Sequence, residues 1–338
     1  MKIGILSSGG DCPGINATIR GVGKTAITHY DMEVIGIKDG FQGLLKKDYI
    51  PLNEYSLSGL LNLGGTILGT SREKPFKKLL DGSSEEKPQI IIDSYHELGL
   101  DCLVCIGGNG TQKTAYKVSQ LGLNVIGIPK TIDNDVWGTD VTFGFDSAVD
   151  IATEAIDRLH STASSHKRVM VIELMGHNAG WITLYAGMAG GADVILLPEL
   201  GYNIKKVNQA IINRAQKGKH FSIVAVAEGL VVDNKKGNPS GNISLLIEKG
   251  TGIETRETIL GYVQRGGSPS AFDRNLGTRL GGYAIELIAN KKFNQMVCLK
   301  SEKISSLPLS EVAGKLKLVP SDHDLIIQGE RMGISFGI

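Results

Sequence analysis

Short apolar runs recur along the chain, set apart by longer stretches of helical periodicity. The runs at residues 2–6, 33–38, 102–106, 125–128, 169–174, 194–197 and 223–227 are four to six residues long. Runs of that length are strands buried on both faces. The stretches at 15–30, 89–98, 113–121, 147–160 and 207–217 carry the helical pattern between them. Strand alternating with helix predicts an α/β fold, its sheets mainly parallel and flanked by helices on both faces. No fixed repeat is present, so a solenoid is excluded.

In such sheets ligands sit beyond the C-terminal ends of the strands. Ser7-Ser8-Gly9-Gly10-Asp11, Gly107-Gly108-Asn109-Gly110-Thr111 and Pro129-Lys130-Thr131-Ile132-Asp133-Asn134-Asp135 each follow a predicted strand directly. Three polar or glycine-rich loops are therefore expected at one sheet edge. The turn composition of residues 235–240 predicts a surface loop.

A length of 338 residues corresponds to about two domains. Lys and Arg total 36 against 35 Asp and Glu, a net charge of +1 that leaves no footprint for nucleic acid or an anionic membrane. No apolar run reaches membrane-spanning length, and the N-terminus does not read as a signal peptide. The expected location is the cytoplasm. Glycine is abundant, 44 residues, and pairs at 9–10, 64–65, 107–108, 190–191, 266–267 and 281–282. Paired glycines suggest an anionic ligand held by backbone N–H groups. Cys102 and Cys105 have a metal-like spacing, but three residues along a strand place their sulfurs on opposite faces. They are expected in the core.

Gly107-Gly108 between strand and helix lets phosphate oxygens reach the amides of a helix N-terminus, although the segment is no P-loop and reads equally as an ordinary turn. In residues 131–135 two carboxylates lie two apart. One of them can accept a hydroxyl proton or help position a metal, and an Asx-rich turn is the bland reading. Arg168, Arg256 and Arg265 offer forked donors to phosphate, or else surface salt bridges. Glu228 closes the run 223–227, where it would meet sugar hydroxyls or cap a helix.

Taken in order, Ser8-Gly9-Gly10-Asp11-Cys12-Pro13-Gly14-Ile15-Asn16, the segments at 107–111 and 129–135, Met175-Gly176, and Leu260-Gly261-Tyr262-Val263-Gln264-Arg265-Gly266-Gly267 resemble the bacterial 6-phosphofructokinase family. The resemblance implies two Rossmann-like three-layer domains with a cleft between them. The donor domain would comprise 1–144 plus about 264–312, and the fructose 6-phosphate domain about 145–263 plus 313–338. It implies transfer of the γ-phosphoryl group of ATP to the C1 hydroxyl of fructose 6-phosphate, a glycolytic step. Magnesium would accompany the donor, and the chain would form a homotetramer or homodimer.

By the same resemblance, Asp133 is the base and Thr131 contacts the transferred group. Gly9, Arg72 and Gly107, Gly108, Asn109, Gly110 and Thr111 bind the donor. Substrate would be held by Met175, Gly176, His177, Glu228, Tyr262 and Arg265, with Arg168 and Arg256 supplied by a neighbouring subunit. Two positions depart from the family. Asn109 replaces an acidic magnesium ligand and His177 replaces an arginine, so a weakly active or non-catalytic regulatory paralogue is an alternative. Gly110 goes with ATP, whereas Lys130 and Tyr262 resemble a branch with pyrophosphate-dependent members, the other alternative. Arg20, Lys24, Lys217 and Lys219 fall at the classical effector positions, with His160 where another arginine is expected.

Overall fold

All seven apolar runs are strands in the computed structural model, which describes residues 1–77, 87–232 and 237–338. They are β1 (Lys2–Ser8), β2 (Glu33–Ile37), β4 (Cys102–Gly107), β5 (Val125–Pro129), β6 (Val169–Leu174), β7 (Val194–Leu196) and β8 (Ser222–Ala227). Four further strands escape the pattern: β3 (Tyr49–Leu52), β9 (Thr255–Ile259), β10 (Gln295–Lys300) and β11 (Lys303–Pro308). Three of these lie at sheet edges, where one side faces away from any neighbour and the apolar signal weakens.

The chain divides into two units. The first comprises residues 1–131, 135–146 and 265–316; the second comprises 132–134, 147–264 and 317–338. In the first, the sheet order is β11-β10-β5-β4-β1-β2-β3. The five central strands run parallel and the edge strands β3 and β11 antiparallel. In the second, the order is β7-β8-β6-β9, all parallel.

Each unit has its own core. Leu6, Ile37, Leu103, Val125 and Met296 pack in the first; Val171, Leu196, Val207, Val224 and Ile243 pack in the second. Truncating one such Leu or Ile to Ala costs about 2–5 kcal/mol. Cys102 and Cys105 are buried free thiols, as expected of core residues. Burial pushes the Cys12 thiol up to about 12 despite the opposing charge of Lys130, so it is an inert core group.

Two sequence expectations need correction. Gly281 and Gly282 lie within the helix Ala271–Ala289 and not in a turn between elements. A Cβ on Gly281 would stand 2.7 Å from the backbone of the helix Ile15–Tyr30, so glycine is there to let two helices touch. Gly190 likewise caps the helix Trp181–Ala189. The segment 235–240 is not a loop throughout. Pro239 and Ser240 are buried and open the helix Pro239–Thr251, while 233–236 lie outside the described residues. Among the described residues no helix is long and apolar enough to cross a membrane.

Candidate active site

Parallel pairing of β1, β4 and β5 aligns Ser8 with Gly107 and Gly107 with Pro129. The three loops after these strands therefore leave the same sheet edge side by side. Thr111 Oγ1 donates to the Ser8 carbonyl at 3.2 Å, and Lys130 Nζ donates to the Gly10 carbonyl. Gly107 admits no side chain, since a Cβ would sit 2.3 Å from Thr111 Oγ1. The Gly9 amide is not free for an anion, because it donates to the Ser71 carbonyl at 2.9 Å. That bond, with Thr70 Oγ1 to the Gly9 carbonyl at 2.8 Å, pins the segment carrying Arg72 to the loop. Gly9 thus contributes space and position.

Free amides come from the helix Asn109–Gln120, whose first turn has no side-chain cap and no acid. Such an N-terminus favours an anion by about 0.3–1 kcal/mol at an exposed site and more when partly buried. Asn109 Nδ2 donates to the Asp135 carbonyl at 3.2 Å, which leaves Asn109 Oδ1 a buried acceptor with no partner among the described residues. Arg265 Nη1 donates to the Asp11 carbonyl at 3.0 Å, and its Nε is buried without an acceptor among the described residues. An unmet charged donor of that kind is costly, and a bound anion would meet it.

From this seat a cavity of about 450 Å³ runs along the helix Asn109–Gln120. Its lining includes Gly110 and Thr111 at the start of that helix, Lys113 and Lys117 farther along it, and Arg72, Glu73 and Phe76 from the segment before residue 78. Lys117 Nζ stands 5.3 Å from the Phe76 ring centre. Space beyond Gly110 is open, so a side chain there would enter the cavity.

The chain then passes through residues 131–135. Thr142 Oγ1 donates to the Thr131 carbonyl at 2.7 Å, and Thr131, Asp133 and Asp135 are all nearly buried. Asn134 has a left-handed backbone, φ 51°.

In the second unit the expected residues fall into two groups. At the C-terminal ends of the strands, Glu228 Oε1 accepts the amides of Gly176 at 3.1 Å and His177 at 2.7 Å. The carboxylate therefore fixes the turn after β6 and caps no helix. Gln264 Oε1 accepts the Met175 amide at 3.2 Å, tying in the turn that carries Tyr262. His177 is exposed, its Nδ1 2.8 Å from Asn178 Nδ2. Arg168 and Arg256 lie at the opposite, N-terminal ends of β6 and β9. Both contact Glu254: Arg168 Nε at 2.6 Å, and Arg256 through its Nη2. The Arg168 bond holds the Glu254 carboxyl below the usual carboxylate range. At about 3.3 Å per residue, the length of β6 separates these arginines from Met175 by roughly 20 Å.

Residues 2–288 match the family described as phosphofructokinase. The chain belongs to this family. It is 68% identical over 337 residues to the ATP-dependent 6-phosphofructokinase 3 of Bacteroides thetaiotaomicron, with the whole of each chain covered. A phosphofructokinase from Pichia pastoris in the T-state superposes with a TM-score of 0.85 at 32% identity. That match covers 92% of this chain and 35% of the larger yeast chain. A pyrophosphate-dependent phosphofructokinase from Marinobacter aquaeolei superposes with the same TM-score, 0.85, at 25% identity over 99% of this chain and 92% of that one.

Within this phosphofructokinase fold, the sequence reading missed Phe76, Lys113 and Lys117. The two lysines are four apart on the helix that follows Gly108, a spacing that puts them on one face with Gly110 and Thr114 and was available as a signal. Gln264 and the Arg168 bond of Glu254 had no local signal, because those contacts span 89 and 86 residues, although Arg256 stands only two residues from Glu254.

Proposed function

We propose that the chain is an ATP-dependent 6-phosphofructokinase, transferring the γ-phosphoryl group of ATP to the C1 hydroxyl of fructose 6-phosphate to give fructose 1,6-bisphosphate and ADP. The reaction is a step of glycolysis, and the cytoplasm is its proposed location. The cavity of the first unit carries this reading. It starts at an uncapped helix N-terminus and continues past Gly110 to an aromatic ring flanked by lysines. Inorganic pyrophosphate would need only the first part, whereas a volume of about 450 Å³ suits a nucleotide.

In this reading the donor phosphates sit on the amides opening the helix Asn109–Gln120, beside Gly9, Gly107, Gly108 and Thr111, with Arg72 in the same cavity lining. The base or ribose lies against Phe76 and Lys117. Asp133 takes the proton of the C1 hydroxyl as its oxygen attacks the γ-phosphorus, and the bond to the ADP oxygen breaks. Thr131 orients the transferred group. Met175, Gly176, His177, Glu228, Tyr262 and Arg265 hold the sugar phosphate. Positioning and charge stabilisation supply most of the acceleration in such transfers.

Magnesium fits as the donor's companion. Among the described residues no three acidic, His or Cys side chains gather to hold a metal. Asn109 Oδ1, without a partner among the described residues, would offer such an ion a neutral oxygen ligand beside the donor phosphates. When bound, the ion neutralises charge on the phosphates.

Arg168 and Arg256 lie too far from Met175 and Glu228 to share a sugar phosphate with them in one chain. Their assignment to the 6-phosphate therefore requires a second copy, and the proposed assembly is a homodimer or homotetramer.

The test is formation of fructose 1,6-bisphosphate with magnesium, with ATP and pyrophosphate run separately, for the parent and for Asp133→Ser. Turnover with ATP and a roughly 10³-fold loss of kcat in the variant are expected. Equal activity of the two proteins would remove Asp133 as the base, and turnover only with pyrophosphate would overturn the donor assignment.

A further inference from the structure

Asn134 follows the proposed base directly and is held in a conformation that L-residues seldom adopt, at φ 51° and 3% exposed. Asparagine tolerates that region when its side chain is bonded. Here Lys317 Nζ donates to Asn134 Oδ1 at 2.8 Å, across 183 residues of sequence.

Lys317 is itself held at two points by one indole. Trp181 Nε1 donates to the Lys317 carbonyl at 2.9 Å, and Lys317 Nζ stands 5.3 Å from the Trp181 ring centre. Trp181 is nearly buried at the start of the helix Trp181–Ala189, and His323 packs edge-on against it at 5.4 Å. A lysine fixed at main chain and ammonium cannot swing as a surface lysine does. Its donor is aimed at the residue whose backbone sets the direction of Asp133.

We propose that Lys317 is a positioning residue, which clamps the left-handed turn at Asn134 so that Asp133 meets the C1 hydroxyl in line for proton transfer. The inference rests on the reading of Asp133 as the base. In this role Lys317 acts through Asn134. Misplacing a catalytic group by about 1 Å costs up to about 10²-fold in rate while leaving ground-state binding largely intact.

The experiment measures kcat and both KM values for Lys317→Met, Lys317→Arg and Trp181→Phe, and repeats Lys317→Met in the Asp133→Ser background. Methionine keeps much of the stem and removes the donor. The expected result is a fall in kcat of about tenfold or more, with both KM values within about twofold, since the loss falls on the transition state. Arginine, which can donate and stack, should recover most of it. Phenylalanine at 181 keeps a ring and loses the carbonyl bond, and should give a smaller loss of the same kind. In the Asp133→Ser background the Lys317 change should cost nothing further.

Thermal unfolding accompanies each variant. If Lys317→Met does not fold, Asn134→Gly carries the test. It keeps φ accessible but removes the bonded side chain, and it should lower kcat in the same way. Unchanged kcat in folded Lys317→Met, or an equal loss with and without Asp133, would overturn the proposal. An Asp133→Ser protein as active as the parent would instead overturn the assignment of the base.

Discussion

At the carboxyl edge of the seven-stranded sheet, one chain gathers Gly9, Gly107, Thr111, Lys130 and Arg265 around a single seat. The four-stranded sheet does the reverse. It places Glu228 and the turn at Met175 at one end of its strands and Arg168 with Arg256 at the other. Parallel strands explain both outcomes. Loops after neighbouring strands always meet, while residues before and after the same strand are held apart by its length. A donor site can thus be complete in one chain, whereas the proposed acceptor site needs arginines from another copy.

The largest effect expected from perturbing this contrast is on the donor side. Gly110→Asp would push a carboxylate into the open cavity beside the phosphates. A like charge placed there costs several kcal/mol, so the KM for ATP should rise by about 100-fold while sugar-phosphate binding is retained. Initial-rate kinetics varying each substrate would check this. Next comes Arg256→Ala, which removes a charged donor proposed for the 6-phosphate. The KM for fructose 6-phosphate should rise about tenfold or more, with the KM for ATP within about twofold.

A smaller effect concerns Glu254, which occupies both arginines in the protein as it stands. Glu254→Gln should lower the KM for fructose 6-phosphate by about two- to fivefold, the range of an exposed ion pair. Because the Arg168 bond holds its carboxyl low, Glu254 is ionised at neutral pH and remains so into the acid range. The difference between parent and variant should therefore persist across neutral pH and fade only as the pH falls through that lowered value.

What the sequence made legible follows from the same physics. Strands covered on both faces are continuous apolar runs, so β1, β4, β5, β6 and β8 stand out; the polar edge strand β9, Thr-Arg-Glu-Thr-Ile, does not. Glycine pairs are ambiguous without their elements. Gly107-Gly108 ends a strand and opens the donor seat, while Gly281-Gly282 only lets two helices approach. The Gly9 amide was expected to bind an anion and is instead taken by Ser71, a bond that no local pattern announces. Lys317 lies far from every motif, and only the fold brings it to Asn134.

The most direct test of the contrast mixes Asp133→Ser with Arg256→Ala after dissociating and reassembling the subunits, and assays at fructose 6-phosphate far below the KM of the Arg256→Ala protein, where each variant alone turns over slowly. If each acceptor site takes Asp133 from one chain and Arg256 from another, random hybrids restore intact sites and about a quarter of the parent activity. No recovery in demonstrated hybrid oligomers would contradict the account and return Arg256 to the same chain as the base it serves.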